Sequence, residues 1–440
     1  MLVYLICYLA AVLFARVSCF ALSGLPLLLA AAWLCREDFG RPGPAVRLRG
    51  LFSLSFVGGQ GLSCLKLSRL QVPWEPMTWA VLFLAHSVFW LVFELLLRRV
   101  PEERRSGGPA PGAVVNPDRL LASILVLTGV SAGSFAAEAL ILGFIPLLLR
   151  GVPHAYSYFH VSGLHYFTVC CCLVPSLAMV WQDSDKGADR RKLAAAALCS
   201  LVSFLVPVFL VSRFYLVFTV LLAAVTLLFL RKGAVPRGAM AAVPACILPL
   251  YILLSVARSH SVEYLNGIFE MKYRLPIFVT QPYIYIAHNY DNLNCLIREL
   301  PRHSMGLKML FPLWALTGLK FFVPSLTAFP LYVTKEELTT VTLFYDAWYD
   351  FGTAGVVLLS GLLGAAAFVL ERRISGPCHP VETVICAQFA MYLGLSFFTT
   401  WFSNPATWFL FAVSALVLAA SRERGGVGQN ASQRVSGGML

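Results

Sequence analysis

The sequence predicts an all-α, polytopic helical membrane protein, and three observations carry that class. Hydrophobic residues make up 58% of the 440 and charged residues 13%, against roughly 45–50% and 25% in soluble domains. Uninterrupted apolar runs of bilayer length recur from Leu2 to Ala420, where a barrel would show short alternating strands. Basic residues cluster between the runs, at Arg36/Arg41/Arg47/Arg49, Arg98/Arg99/Arg104/Arg105, Lys186/Arg190/Arg191/Lys192, Arg231/Lys232/Arg237, Arg372/Arg373 and Arg422/Arg424. That is the pattern of loops retained in the cytoplasm. The formal charge of +12 is therefore topological, and no basic stripe with interleaved aromatics points to nucleic acid.

Placing those clusters on one side gives about twelve spans, at 2–16, 18–35, 50–66, 76–97, 119–140, 161–181, 192–211, 214–230, 239–257, 341–370, 381–401 and 405–420. The first run has no positive n-region, is interrupted by Arg16 and resumes at once, so it reads as two retained helices and not a cleaved signal. Both termini then face the cytoplasm. Residues 1–257 form an N-terminal transmembrane bundle, 258–340 a large periplasmic loop, 341–420 the C-terminal helices and 421–440 a disordered cytoplasmic tail. The Gly/Pro-rich segment from Pro101 to Pro117 is a flexible cytoplasmic linker. Connections containing Leu67 to Glu75, Ile141 to His160, Ser212-Arg213 and Arg258 to Thr340 fall on the outer face. Within the last, Gly306 to Val333 is apolar but broken by Pro312, Pro324 and Pro330 and carries Lys308 and Lys320, which suits a segment lying on the membrane surface.

The twelve cysteines fall almost entirely in or beside apolar runs, including Cys170-Cys171-Cys172. No CxxC pair is present, and buried thiols are the reading. There is no Walker motif, no GxGxxG opening a helix and no HExxH, and no GxSxG elbow either, since Gly129-Val-Ser131-Ala-Gly133 lies inside an apolar run and not at a strand-to-helix turn. ATP hydrolysis, metalloprotease and serine-hydrolase chemistry therefore have no support.

Four groups of residues could carry chemistry. Arg213 stands alone between two apolar runs, where a guanidinium needs a partner or an anion; it either snorkels or pairs within the bundle, or clamps phosphate. The stretch Tyr285 to Asn294, with His288, Asp291 and Asn292, suits hydrogen bonding to sugar hydroxyls, or else forms an Asx-rich turn that caps the helix leading to Arg298. Asp346 and Asp350, four residues apart, share a helix face at the outer mouth of a span, where one could act as a general base or Asp346 could simply favour a helix N-terminus. His154, His160 and His165 cluster with Tyr156, Tyr158 and Phe159 but match no common zinc signature, and contacts to substrate are the better reading. Arg150, Arg258, Arg274, Arg298, Arg302 and Lys335 add positive charge on a face that should be poor in it.

Taken in order, Lys66 to Trp74, Gly143-Phe-Ile-Pro146 with the following turn to His165, Ser212-Arg213, Tyr285 to Asn294 and Tyr349-Asp350-Phe351-Gly352-Thr-Ala-Gly355 resemble the O-antigen polymerase (Wzy-type, oligosaccharide repeat unit polymerase) family of bacterial inner membranes. The resemblance implies a metal-independent membrane glycosyltransferase with no cofactor. It would transfer a growing glycan from undecaprenyl diphosphate to the terminal hydroxyl of a new lipid-linked repeat unit, at the periplasmic face. Its partners would be the lipid-linked oligosaccharide, the bilayer, a chain-length regulator and a flippase.

On that resemblance Arg213, with Arg150, Arg258 or Arg298, would hold the diphosphate leaving group. Asp350, or failing it His288 or Asp291, would take the acceptor proton. Tyr285, His288 and Asn292 would position sugars, as would His160, His165 and Asp346 at the mouth. The family's loop pattern of arginine with glycine at a fixed distance is not clearly present. An O-antigen ligase is the related alternative, with His288 or His303 meeting its histidine requirement. A flippase of lipid-linked sugars, from a different class, would need charges along a central cavity, whereas here they gather at one face.

Overall fold

A computed structural model describes residues 1–41, 43–100, 115–149, 155–232 and 262–423. Among these every regular element is helical. They are α1 Leu2–Arg16, α2 Phe20–Phe39, α3 Leu48–Phe52, α4 Gly58–Cys64, α5 Pro76–Arg98 and α6 Pro117–Leu142. After the short α7 Ala155–Tyr158 come α8 Leu164–Thr168, α9 Val174–Ser184, α10 Arg190–Phe209 and α11 Arg213–Leu230. The chain ends with α12 Val262–Phe269, α13 Ile277–Glu299, α14 Phe311–Leu316, α15 Tyr345–Ser375, α16 Glu382–Gly394 and α17 Pro405–Ser421.

Seven helical segments among the described residues are long and apolar enough to cross a membrane: Phe20–Phe39, Pro76–Arg98, Pro117–Leu142, Leu164–Ser184, Arg190–Phe209, Arg213–Leu230 and Tyr345–Ser375. Leu2–Arg16 and Pro405–Ser421 are apolar but shorter. Local chemistry sets their starts. Glu75, Asn116 and Asn404 each precede a proline in the first turn of α5, α6 and α17, where the missing N–H costs nothing. Asn116 and Asn404 also accept from backbone N–H groups at 3.1 and 2.9 Å. The expected span at 239–257, Arg104, Arg105, Arg237, Arg424, most of the Pro101–Pro117 linker and nearly all of the tail lie outside the described residues.

Besides the expected span at 381–401, whose helix ends at Gly394, two elements depart from the sequence expectation. The expected run at 50–66 is interrupted: α3 passes through a π turn, Ser53–Val57, into α4, and the wider turn sets Ser53 Oγ 2.9 Å from His86 Nε2 on α5. The segment 258–340, expected as loop, contains the long helix α13, most of whose residues are buried. It also holds α12 and α14; Leu313 in α14 and Phe321 and Phe322 after it stand 53%, 63% and 83% exposed.

Ion pairs place the basic clusters at one end of the bundle. Arg49 lies buried beside the end of α2, donating to Asp38 at 3.0 and 2.5 Å and to Glu94 of α5 at 2.8 Å. Its guanidinium packs over Trp90 and Phe93. Arg47 pairs with Glu371 of α15 at 3.3 Å, and Glu371 also accepts from the Leu48 N–H at 2.5 Å. Lys192–Asp118, Arg373–Glu382 and the Val115–Arg422 bridge join the starts of α6, α10 and α16 and the end of α17 in the same manner. Arg47 and Arg49 are thus interior pairing groups and not free loop charges. The long parallel contact of α5 with α15, which runs from Met77 beside Thr353 to Phe93 beside Phe368, needs Gly364, whose Cβ would sit 2.5 Å from the Phe89 carbonyl oxygen.

Removing one partner of a buried ion pair strands the other. Arg49→Ala should lower the unfolding free energy in detergent by about 3–5 kcal/mol, and adding Asp38→Ala should recover part of it. Unfolding curves of the single and double variants check this.

Candidate functional site

The polar residues of 285–294 do not form a turn; they lie in the second half of α13 and face its neighbours. Asp291 is fully buried and accepts from Lys66 Nζ, Ser63 Oγ at 3.2 Å, Gln71 Nε2 at 2.7 Å and Trp74 Nε1 at 2.9 Å. Lys66 also lies over the Trp74 ring. Asn294 accepts from the Glu75 N–H and Thr78 Oγ1 at 2.8 and 2.7 Å. Asn292 donates to the carbonyls of Leu338 and Thr340 at 2.8 Å each and accepts from the Thr334 N–H at 3.0 Å. His288 Nε2 lies 2.6 Å from Thr334 Oγ1. Tyr285 is half-buried, while Arg298 stands exposed at the helix end, paired with adjacent Glu299 at 2.5 Å. These side chains act as a hydrogen-bonded seam that holds a polar helix among apolar ones.

Asp346 and Asp350 open α15 and both face the segment 304–309. Asp350, fully buried, accepts from Ser304 Oγ, the Met309 N–H at 2.7 Å and the Lys308 N–H at 3.2 Å. Asp346 pairs with Lys308 Nζ at 3.0 Å and accepts from Ser403 Oγ at 2.5 Å. Lys308 lies over the rings of Tyr345 and Tyr349. Immediately after Asp350 the helix kinks, with Phe351 at φ −136°, ψ 15° and Gly352 at φ 58°, ψ −140°. Gly352 suits that backbone, which L side chains rarely adopt, and a Cβ there would also press on His303 at 3.1 Å.

A third group joins α6, α8 and α11. Glu138, in the last turns of α6 and fully buried, receives His165 Nδ1 at 3.1 Å from each carboxylate oxygen, Thr168 Oγ1 at 2.7 Å and the Val161 N–H at 3.0 Å. His160 and His165 stand with ring centroids 5.0 Å apart, and Tyr215 lies 6.4 Å from His165 on its other contact. Arg213 begins α11, where Ser212 Oγ accepts from the Tyr215 N–H at 3.3 Å. The sequence reading did not single out Glu138. Its signal was an acid near the end of the apolar helix Pro117–Leu142, where an ionisable group is costly.

The connection between α16 and α17 draws the three groups together, although the sequence placed much of it inside a span. Asn289 Nδ2 donates to the Phe397 carbonyl at 2.6 Å, Ser403 reaches Asp346, and Trp401 stacks 5.7 Å from Phe214, the residue after Arg213. Beside it Phe214, Tyr215, Phe218, Tyr392, Trp401 and Asn404 line a small, partly open cleft. Arg150, Arg258 and His154 lie outside the described residues. Among the described residues no three His, Cys, Asp or Glu side chains converge as metal ligands. Comparison of the chain with protein-family models, curated proteins and solved structures gives no match.

Burial holds the His288 imidazole below its ordinary range, with nearby Lys66 acting in the same direction and Asp291 opposing. The unfolded chain therefore binds a proton where the folded chain does not. This contribution to stability is present above about pH 6.5 and is lost as the pH falls below it. Thermal unfolding between about pH 5 and pH 8 should show that slope, and His288→Gln should flatten it.

Proposed function

We propose that the protein is a membrane-embedded glycosyltransferase of the oligosaccharide repeat unit polymerase type. It takes a growing glycan from a polyprenyl diphosphate and transfers it to the terminal hydroxyl of a second lipid-linked repeat unit. In this reading about twelve helices span a bacterial inner membrane, the basic end faces the cytoplasm, and the segment 258–340 belongs to the periplasmic side. The observation that carries the reading is the separation of chemistry along the bundle. Paired basic residues occupy one end, while at the other Asp346, held by Lys308, and Phe214, next to Arg213, contact residues 401–403, and His160 and His165 lie beside Tyr215.

Each part has a task in that chemistry. Arg213, at the N-terminus of α11, combines a guanidinium fork with the positive end of a helix dipole, a combination suited to a diphosphate leaving group. Charge developing on that group must be met by such donors. The exposed Leu313, Phe321 and Phe322 beside α14 offer an apolar ledge for a polyprenyl chain, and Lys320 adjoins them. Asp350 is already engaged by three donors, so in this reading it fixes the 304–309 segment over the mouth, and Asp346 with Lys308 holds the same segment from the side.

Reconstituted in liposomes with undecaprenyl-diphosphate-linked repeat units, the wild-type protein should produce a ladder of lengthening glycans. Arg213→Ala should slow elongation by about 10²–10³-fold, the range for losing one donor to a developing anion, and Arg213→Lys should recover part of the rate. An unchanged ladder from Arg213→Ala would remove the residue from the site. Absence of any wild-type product would sink the polymerase reading.

A further inference from the structure

We infer that Glu138 and His165 form the proton-accepting unit of the site, with His165 as the general base and Glu138 as the residue that positions and charges it. The inference rests on the glycosyltransferase reading above and deepens it. Its ground is the contrast between this pair and Asp291, Asp350 and His288, which sequence reasoning put forward as bases, as it did Asp346, which is held by Lys308 and Ser403.

Asp291 accepts from four donors and is fully buried. Asp350 accepts from three and is fully buried. His288 is 1% exposed, with Nε2 tied to Thr334. His165 differs: it is 17% exposed, while its carboxylate partner is wholly enclosed. Both oxygens of Glu138 lie 3.1 Å from Nδ1. An ionised carboxylate only accepts, so it holds the tautomer with hydrogen on Nδ1 and leaves the lone pair on Nε2. The bonds from Thr168 and the Val161 N–H fix the carboxylate in turn.

A structural role alone would not call for an acid here. The Val161 N–H meets Oε1 and Thr168 Oγ1 meets Oε2; a glutamine could accept from Val161 and His165 through its one oxygen and donate its amide to the Thr168 hydroxyl, which accepts as well as donates. A carboxylate in this place is opposed twice, by the apolar surroundings and by the negative end of the α6 dipole. What a carboxylate adds is compensation of the positive charge that arises when Nε2 takes a proton. Tyr215 packs against the same imidazole from α11, and Arg213 lies two residues earlier on that helix, so base and anion clamp share one helix end.

The step balances without a further reactant. The acceptor hydroxyl oxygen attacks the anomeric carbon of the donor glycan and a glycosidic C–O bond forms. The C–O bond to the diphosphate breaks and its electron pair leaves with the phosphate, facing Arg213. The hydroxyl proton passes to His165 Nε2 and is later released to water.

The test uses the full-length protein in liposomes with undecaprenyl-diphosphate-linked repeat units, and thermal unfolding of each variant. His165→Ala should lower kcat by about 10²–10⁴-fold with KM nearly unchanged, and added imidazole should restore part of the rate. Glu138→Gln, which keeps an acceptor oxygen for His165 and the Val161 N–H and can donate to the Thr168 hydroxyl, should fold as the wild type does and lower kcat by about 10–100-fold. His165→Gln keeps a side-chain donor and should remain as slow as His165→Ala, which covers the case in which alanine unfolds the protein. Elongation by His165→Gln or Glu138→Gln within about threefold of wild type would overturn the assignment while leaving the polymerase reading intact. So would an inactive but folded His165→Ala that imidazole does not rescue. A wild-type protein that makes no glycan ladder would instead overturn the underlying reading.

Discussion

Everything at the end opposite the basic clusters depends on one buried carboxylate. Asp291 sits at zero exposure on α13 and is met by four donors, all from residues 63 to 74. A buried charge without such company would cost several kcal/mol. With it, a helix too polar to partition into an apolar bundle on its own becomes part of the core. Tyr290 adds a bond from its hydroxyl to the Phe56 carbonyl at 2.8 Å, and Asn294 clasps the start of α5. Once α13 is fixed, Asn289 and Asn292 fix residues 334–340 and 397, and those frame the mouth. Helix α13 and residues 334–340 are therefore tied into the bundle by their polar side chains.

The same rule governs the other end with different residues. Arg49 is enclosed by Asp38, Glu94, Trp90 and Phe93, and Arg47 by Glu371. These pairs tie α2, α3, α5 and α15 where their ends converge. Truncation of either partner leaves an uncompensated charge, so they set the register of the helices more than they add to net stability. At the opposite end Lys308 plays the matching part, between Asp346 and the faces of Tyr345 and Tyr349.

The helical membrane class and most helix positions were legible in the sequence because each rests on a long-range average. Hydropathy over a bilayer-length window finds α2, α5, α6, α10, α11 and α15, and clustered bases give their alternation. Helix α13 escaped the same procedure for a physical reason. Its outward signal is polar, since His288, Asn289, Asp291, Asn292 and Asn294 dominate its second half, and nothing local announces that Lys66, Gln71, Trp74 and Thr78 will supply partners. Burial of polar residues against polar residues is a pairing property of two distant segments, invisible to a window on either one. The kink after Asp350 was hidden likewise, because Gly352 reads as a small packing residue until its positive φ is known.

Candidate chemistry shows the same division. His160 and His165 were marked by type and closeness in sequence, and they do meet in space. The amide-rich stretch of α13 carried the strongest compositional signal for sugar binding, yet its side chains are spent on internal bonds, because a residue type that can bind a hydroxyl can bind a carbonyl equally well. Glu138 was easily passed over, being one of two acids, with Asp118 in the first turn, in twenty-six residues of apolar helix. In a soluble chain a single acid says little. Within a helix fit to cross a membrane the cost of placing it there is several kcal/mol, so its presence weighs more than the polar residues of a ten-residue stretch in a segment already polar. Value as evidence follows the energy a residue costs where it stands, and by that measure the lone carboxylate beside His165 is the most informative charge in the described chain.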